Sequence, residues 1–133
     1  MTKVTAVNYK EGLKSIVTAG NHQLIADEPK DIGGNDEGVN PHELLAASLA
    51  TCTAITLRMY INHKNLPIED IKVDVDVETD KANQTSVFKR QIHIHGHYDE
   101  SVGKRLLSVA NACPIHKILE GSIHITSELN QSV

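Results

Sequence analysis

The chain has no tryptophan, one phenylalanine and three tyrosines, so aromatic residues make up only 3% of its 133 positions. Aliphatic side chains must therefore supply most of any core. Cysteine is also scarce, with Cys52 and Cys113 the only two, which excludes a disulfide-dense secreted scaffold. No arginine precedes Arg58, and the opening "MTKVTAVNYKEG" lacks the apolar region of a secretory leader. With a net charge of −4 the surface does not suit a nucleic-acid partner. Internal repeats and low-complexity tracts are absent, and "GGNDEG" is not followed by G-K-[ST], which excludes a phosphate loop. Charge is missing from the whole of "LLAASLATCTAITL", Leu44 to Leu57, but this run is shorter than the roughly 20 residues that cross a bilayer. The expectation is one domain over residues 1–133, cytoplasmic, with no membrane or nucleic-acid partner. In that compartment a standing structural disulfide is disfavoured, so a working cysteine pair is catalytic or redox-sensing.

What is present is a hydrophobic share of 40% and a charged share of 23%, ordinary for a globular protein. "KVTAVNY", "LKSIVTA" and "HQLIADEP" are short strands separated by Glu11–Gly12 and Gly20–Asn21, which predicts an antiparallel meander. "DIGGNDEGVNP" is a glycine-rich loop. Asn40 as N-cap, Pro41 at the first helical position and Glu43 three residues after Asn40 form a helix start of capping-box type. The helix is expected to reach about His63, with Leu45, Leu49, Cys52, Ile55 (or Thr56) and Met59 on one stripe. Leu44, Ala47, Ala50, Ala54 and Leu57 cover much of the rest. Ser48, Thr51 and Thr53 are small hydroxyls able to bond back to helix carbonyls. A helix this apolar on all sides, in so short a chain, calls for a second subunit to cover it. "IKVDVDVET" and "VFKRQIHIHGHY" alternate as strands. "ESVGKRLLSVANA" and "PIHKILEG" are helices, and "SIHITSEL" is expected as a closing strand. The order β-β-β-α-β-β-α-α-β is an α+β fold with antiparallel sheets around a central buried helix.

The two thiols sit in different surroundings. Cys113 precedes Pro114 at the start of a helix, where free amide N–H groups favour an anion and lower a thiol pKa. Cys52 lies in mid-helix among alkyl groups, where burial alone keeps a thiol protonated and inert. Free cysteine is among the residue types most often buried, so core filler is the bland reading of both. A reactive pair is the sharp one.

"GGNDEGVNPHELLAASLATCTAITLRMY" followed by "ACPIHKILEG" resembles the OsmC/Ohr family, the osmotically induced protein C and organic hydroperoxide resistance proteins. "NPHELLAASLATC" and "CPIH" are the most specific parts. The resemblance implies an OsmC-like fold in which two chains intertwine as a homodimer with active sites at the interface. It also implies thiol-dependent reduction of organic hydroperoxides, with a dithiol as reductant and no cofactor or metal. By position Cys52 is then the peroxidatic thiol and Cys113 the resolving one. Well-known peroxidases of the family hold the thiolate with an N-terminal arginine and a glutamate just after the helix proline. Here His42 follows Pro41 and Glu43 comes one later, so both join Cys52 and Cys113 as candidate catalytic residues. A cation near Cys52 is expected from Lys14, Lys30 or His42. The alternative is a family fold that does not turn over peroxide and binds a small apolar or thiol-reactive ligand at the dimer interface.

Three further features have a plainer explanation. His93, His95 and His97 share a strand face with Lys89 and Gln91, as a solvated polar face does, while Ile92 and Ile94 point inward. His116, three residues after Cys113, either turns back to the thiol or faces solvent. Arg58 and Lys64 mark a solvated helix end.

Overall fold

The structure, a computed structural model, describes residues 1–132. Two compact units divide the chain: residues 1–47 with 76–88, and residues 48–75 with 89–133. In the first, β1 (Thr5–Asn8), β2 (Ser15–Ala19) and β3 (His22–Ala26) form the expected antiparallel meander in the order β1-β2-β3. Ile16 stands opposite Val7 on one side and Ile25 on the other. The β2–β3 loop is two residues long, and Gly20 takes φ 61 at its first position, the left-handed geometry that matches the strand twist.

After β3 the backbone folds around a buried aspartate. The Asp27 carboxylate accepts N–H bonds from Glu28 (2.8 Å), Asn35 (3.3 Å) and Glu37 (3.2 Å), gathering the loop that contains a 3-10 turn at Lys30–Ile32. The Glu28 N–H is the main reason its carboxyl sits below the ordinary value. The Glu37 and Asn35 N–H groups and the Lys14 charge add to this against the opposing effect of burial. Gly38 is required by close approach, since a Cβ there would lie 2.1 Å from the Ile25 carbonyl oxygen. That approach lets Asp27 N–H reach the Val39 carbonyl at 3.0 Å.

Helix α1 (Pro41–Lys64) starts with the expected capping box: Glu43 N–H donates to Asn40 Oδ1 (2.8 Å), and Asn40 N–H to Glu43 Oε1 (2.9 Å). It ends where Asn65 turns left-handed at φ 52. At 24 residues α1 is long and apolar enough to cross a bilayer by length and composition, which the fourteen-residue uncharged run alone is not. Its buried face differs from the expected stripe. Leu49, Thr53, Leu57 and Ile61, spaced by four, are the buried row. Ile55 and Met59 are 60% and 68% exposed. The helix is apolar on every side, as expected, but one chain covers only one of those sides.

β4 (Ile68–Asp80) and β5 (Thr85–Gly96) pair as a two-stranded sheet, joined by the four residues 81–84, a connection that only antiparallel neighbours allow. Val73, Val75 and Val77 lie on the more buried face of β4 as expected, with Ile71. Gly96 closes β5 at φ 153, where a Cβ would meet the Pro67 carbonyl oxygen at 2.6 Å. Helix α2 (Glu100–Asn111) is capped by Asp99, whose side chain accepts from Val102 N–H. Helix α3 (Pro114–Glu120) follows Cys113 and stops before Gly121. In the second unit the core is Leu57, Ile61, Ile68, Leu106 and Ala110, with Ile92, Ile94, Val102 and Val109 packed on it. Burying each Leu or Ile side chain here stabilises the fold by roughly 1.5–3 kcal/mol.

One expected element is missing. Ser122–Leu129 is not a strand, and Ile125 and Leu129 are 85% and 99% exposed. A strand exists only where its backbone groups find a ladder, and within this chain the segment has no paired neighbour among the described residues. The expected closing strand is therefore corrected to a segment without regular secondary structure in this chain.

Candidate active site

Pro114 decides the geometry of Cys113. A residue before proline is driven out of the helical region, and Cys113 takes φ −63, ψ 144. In that conformation its Sγ accepts the N–H of His116 at 3.3 Å, as an N-cap side chain does. The side chain is fully buried. From α1, Thr53 Oγ1 lies 3.9 Å from the same sulfur. Cys52 is half-buried, with its Sγ 4.0 Å from Thr56 Oγ1. Both thiols are free and lie outside disulfide distance. Cys113 stands at a helix start, as the Cys-Pro sequence predicts.

The expected cation beside Cys52 is not found in the contacts of that sulfur among the described residues, and the cation that acts on Cys113 comes from β5. Arg90, on β5, donates from Nη1 to Thr53 Oγ1 (3.0 Å) and to the Ala110 carbonyl (3.3 Å), and from Nη2 to Asn111 Oδ1 (2.7 Å). Burial pushes the Cys113 thiol up. The His116 N–H, the Cys52 and Thr53 side chains and the Arg90 charge together outweigh it and hold the thiol below its ordinary value. Lys14, one of the expected cations, pairs instead with Glu37 at 3.3 Å. Lys30 stands in the 3-10 turn, and His42 is exposed on the first turn of α1. Glu43 is occupied by the capping box.

Arg90 was legible in principle. It alternates with Phe88, Ile92 and Ile94, so it is the one charge on the apolar face of β5. Thr53, one of the hydroxyls expected to bond back to the helix, does so to the Leu49 carbonyl at 2.7 Å. Its spacing of four from Leu49 and Leu57 also places it on the core row, which carries it to Cys113. The turn of His116 towards the thiol is made by its backbone, while its imidazole Nε2 pairs with Glu120 at 2.5 Å. The strand histidines face carboxylates across the β4–β5 sheet: His93 lies 3.2 Å from Asp74, and His95 3.3 Å from Glu69. His97 falls beyond the end of β5. Arg58 is not a solvated helix end, since its guanidinium donates to the carbonyls of Ile68 and Glu69 at the start of β4.

The chain is thus a mixed α+β protein with two free thiols, Cys52 on an apolar helix and Cys113 at a Cys-Pro helix start. The family model described as OsmC-like protein matches residues 33–128, and the chain belongs to that family. It is 25% identical over 121 residues to the uncharacterized protein YmaD of Bacillus subtilis (strain 168), which covers 84% of this chain and 81% of that protein. The fold is similar to the OsmC like protein from Mycoplasma pneumoniae, with a TM-score of 0.76 at 20% identity over 91% of this chain and 88% of that one. It is also similar to the organic hydroperoxide resistance protein OhrB of Bacillus subtilis, with a TM-score of 0.61 at 22% identity over 91% of each chain. The α+β, OsmC-like reading of the sequence is thereby established. Proteins of this family are soluble, and the apolar helix α1 is of the kind that forms their core.

Proposed function

We propose that this chain is a thiol-dependent reductase of organic hydroperoxides, working in the cytoplasm as a homodimer. The observation that supports it most directly is the pair of free thiols on neighbouring elements, with the Cys52 side chain among the groups that lower the Cys113 pKa. In this reading the Cys52 sulfur, the more accessible of the two, attacks the terminal oxygen of a hydroperoxide. The O–O bond breaks, an alcohol leaves, and Cys52 becomes a sulfenic acid. The Cys113 thiolate then attacks that sulfur, water leaves, and a disulfide forms. An external dithiol reduces the disulfide to two thiols and is itself oxidised to a disulfide. The separation of the sulfurs in the reduced chain means that the second step includes a local movement, because a disulfide needs Cα atoms about 4.4–6.8 Å apart. The apolar neighbours of Cys52 on α1 suit a substrate with an alkyl or acyl tail. Glu43 and His42, at the start of the same helix, belong to this proposal as the polar residues nearest the family's glutamate position.

Treating the reduced protein with a small excess of cumene hydroperoxide and counting thiols tests the chemistry, with loss of both thiols expected. Steady-state turnover with dihydrolipoamide and an alkyl hydroperoxide, measured on the unmutated protein and on Cys52→Ser, tests the enzyme. Survival of both thiols, or equal rates in the two proteins, favours the alternative of a ligand-binding member without peroxide turnover. That alternative predicts saturable binding of an apolar probe and oxidation of Cys52 no faster than free cysteine.

A further inference from the structure

Within the second unit the Arg90 guanidinium extends from the apolar face of β5, and its three hydrogen-bond acceptors, Thr53 Oγ1, the Ala110 carbonyl and Asn111 Oδ1, are all uncharged. A half-buried cation held only by neutral groups retains most of its charge for a nearby anion, at a dielectric below that of water. We infer that Arg90, acting through the Thr53 hydroxyl, is the positioning residue of the Cys113 thiolate, the sulfur that closes the disulfide in the proposed reaction.

The proton inventory of Thr53 gives the mechanism. A hydroxyl has one proton to donate and two lone pairs to accept with. Thr53 gives its proton to the Leu49 carbonyl at 2.7 Å and one lone pair to Arg90 at 3.0 Å. While Cys113 is a thiol, the second lone pair is free to accept its S–H across 3.9 Å. When Cys113 ionises, a lone pair against a thiolate becomes repulsive. The Thr53 proton then turns from Leu49 to the sulfur, and Arg90 keeps the oxygen in place through the exchange. The other groups facing Cys113 are Cys52 from α1 and the His116 N–H from α3, whose imidazole is engaged with Glu120. Among the described residues, Arg90 is the cation that acts on this sulfur. The inference concerns the site of the proposed reductase, yet the state of Cys113 can be read without any peroxide.

The test is a titration of thiolate ultraviolet absorbance against pH in the Cys52→Ser background, where Cys113 is the one thiol left. Arg90→Gln and Thr53→Val should each move the midpoint upward, and a shift of one pH unit means roughly tenfold less thiolate well below the midpoint. Thr53→Ser, which keeps the hydroxyl, should restore the original midpoint. A purely structural strut between β5 and the helices would change thermal stability and leave the midpoint in place. Where Arg90→Gln fails to fold, judged by circular dichroism, Thr53→Val reads the same relay with Arg90 intact. An unmoved midpoint in the folded variants overturns the inference. Peroxide consumption by the unmutated protein separates the two proposals: absence of turnover with a shifted titration defeats only the peroxidase reading. Turnover with an unshifted titration defeats only this one.

Discussion

Cys113 and Asp27 show how a single ionisable side chain is set by backbone N–H groups that the chain happens to aim at it. Both carry their charge more readily in the folded state than in the unfolded chain, and in both the donors lie close in sequence, within three residues for Cys113 and within ten for Asp27. For Cys113 burial acts in the opposite direction and is outweighed. A folded-state pKa below the unfolded value means stability that is fully present above the unfolded pKa and lost as pH falls through the folded one. Cys113 therefore adds stability at alkaline pH, and that contribution fades towards neutrality. Comparing denaturation midpoints of the Cys52→Ser protein and the Cys52→Ser, Cys113→Ala protein at pH 7 and pH 10 should show a gap that widens at the higher pH. The same rule places the Asp27 contribution above the ordinary carboxylate range and removes it on acidification through its lowered value. Asp27→Asn should lower the thermal midpoint at neutral pH and lose most of that effect in strong acid. An Asp27→Asn protein as stable as the parent at pH 7 would contradict the role of the carboxylate in gathering the loop. Cys113 was visible in the sequence because Cys-Pro is a local signal. Asp27 was not, because nothing local tells a buried aspartate from one in an ordinary polar loop.

The elements were legible wherever their signals were local and periodic. The capping box at Asn40 and Glu43, the glycine turn at Gly20 and the alternation in β4 all formed as read. The buried face of α1 was not legible, for a physical reason. When nearly every position is apolar, periodicity cannot choose a face, and the choice falls to what packs against the helix. Here Leu106 and Ala110 of α2 and Ile68 of β4 join Leu57 and Ile61 in the core. Leu57, fully buried in that cluster, should cost about 2–5 kcal/mol when truncated to alanine, from lost transfer energy and the cavity left behind. Met59→Ala, on the exposed side of the same helix, should cost far less within a single chain. Urea denaturation of both variants measures the difference, and comparable losses would mean that the Met59 side is covered as well.

At the scale of the whole molecule, that comparison becomes a question of assembly. Ile55 and Met59 on α1, with Ile123, Ile125 and Leu129 in the tail, leave large apolar side chains in water on an isolated chain. Isolated exposed apolar residues are common on soluble proteins, but a whole helix side together with an alternating, unpaired tail is not. Ser122–Leu129 keeps the alternation of a strand without a ladder, and a second copy is the partner expected to provide one. Such burial would join folding to association, so stability should rise with protein concentration. The expected result is a dimer in sedimentation equilibrium at micromolar concentration, with a thermal midpoint that increases on concentrating the sample. Ile55→Asp should shift the population to monomer or to unfolded chain, because it forces a carboxylate into the surface that must be desolvated. Its effect should exceed that of a charge placed at His42, an exposed polar position on the same helix. A compact, folded species of monomer mass, with a concentration-independent midpoint, would mean that one chain tolerates the exposed side of α1. The tail would then be an ordinary solvated terminus.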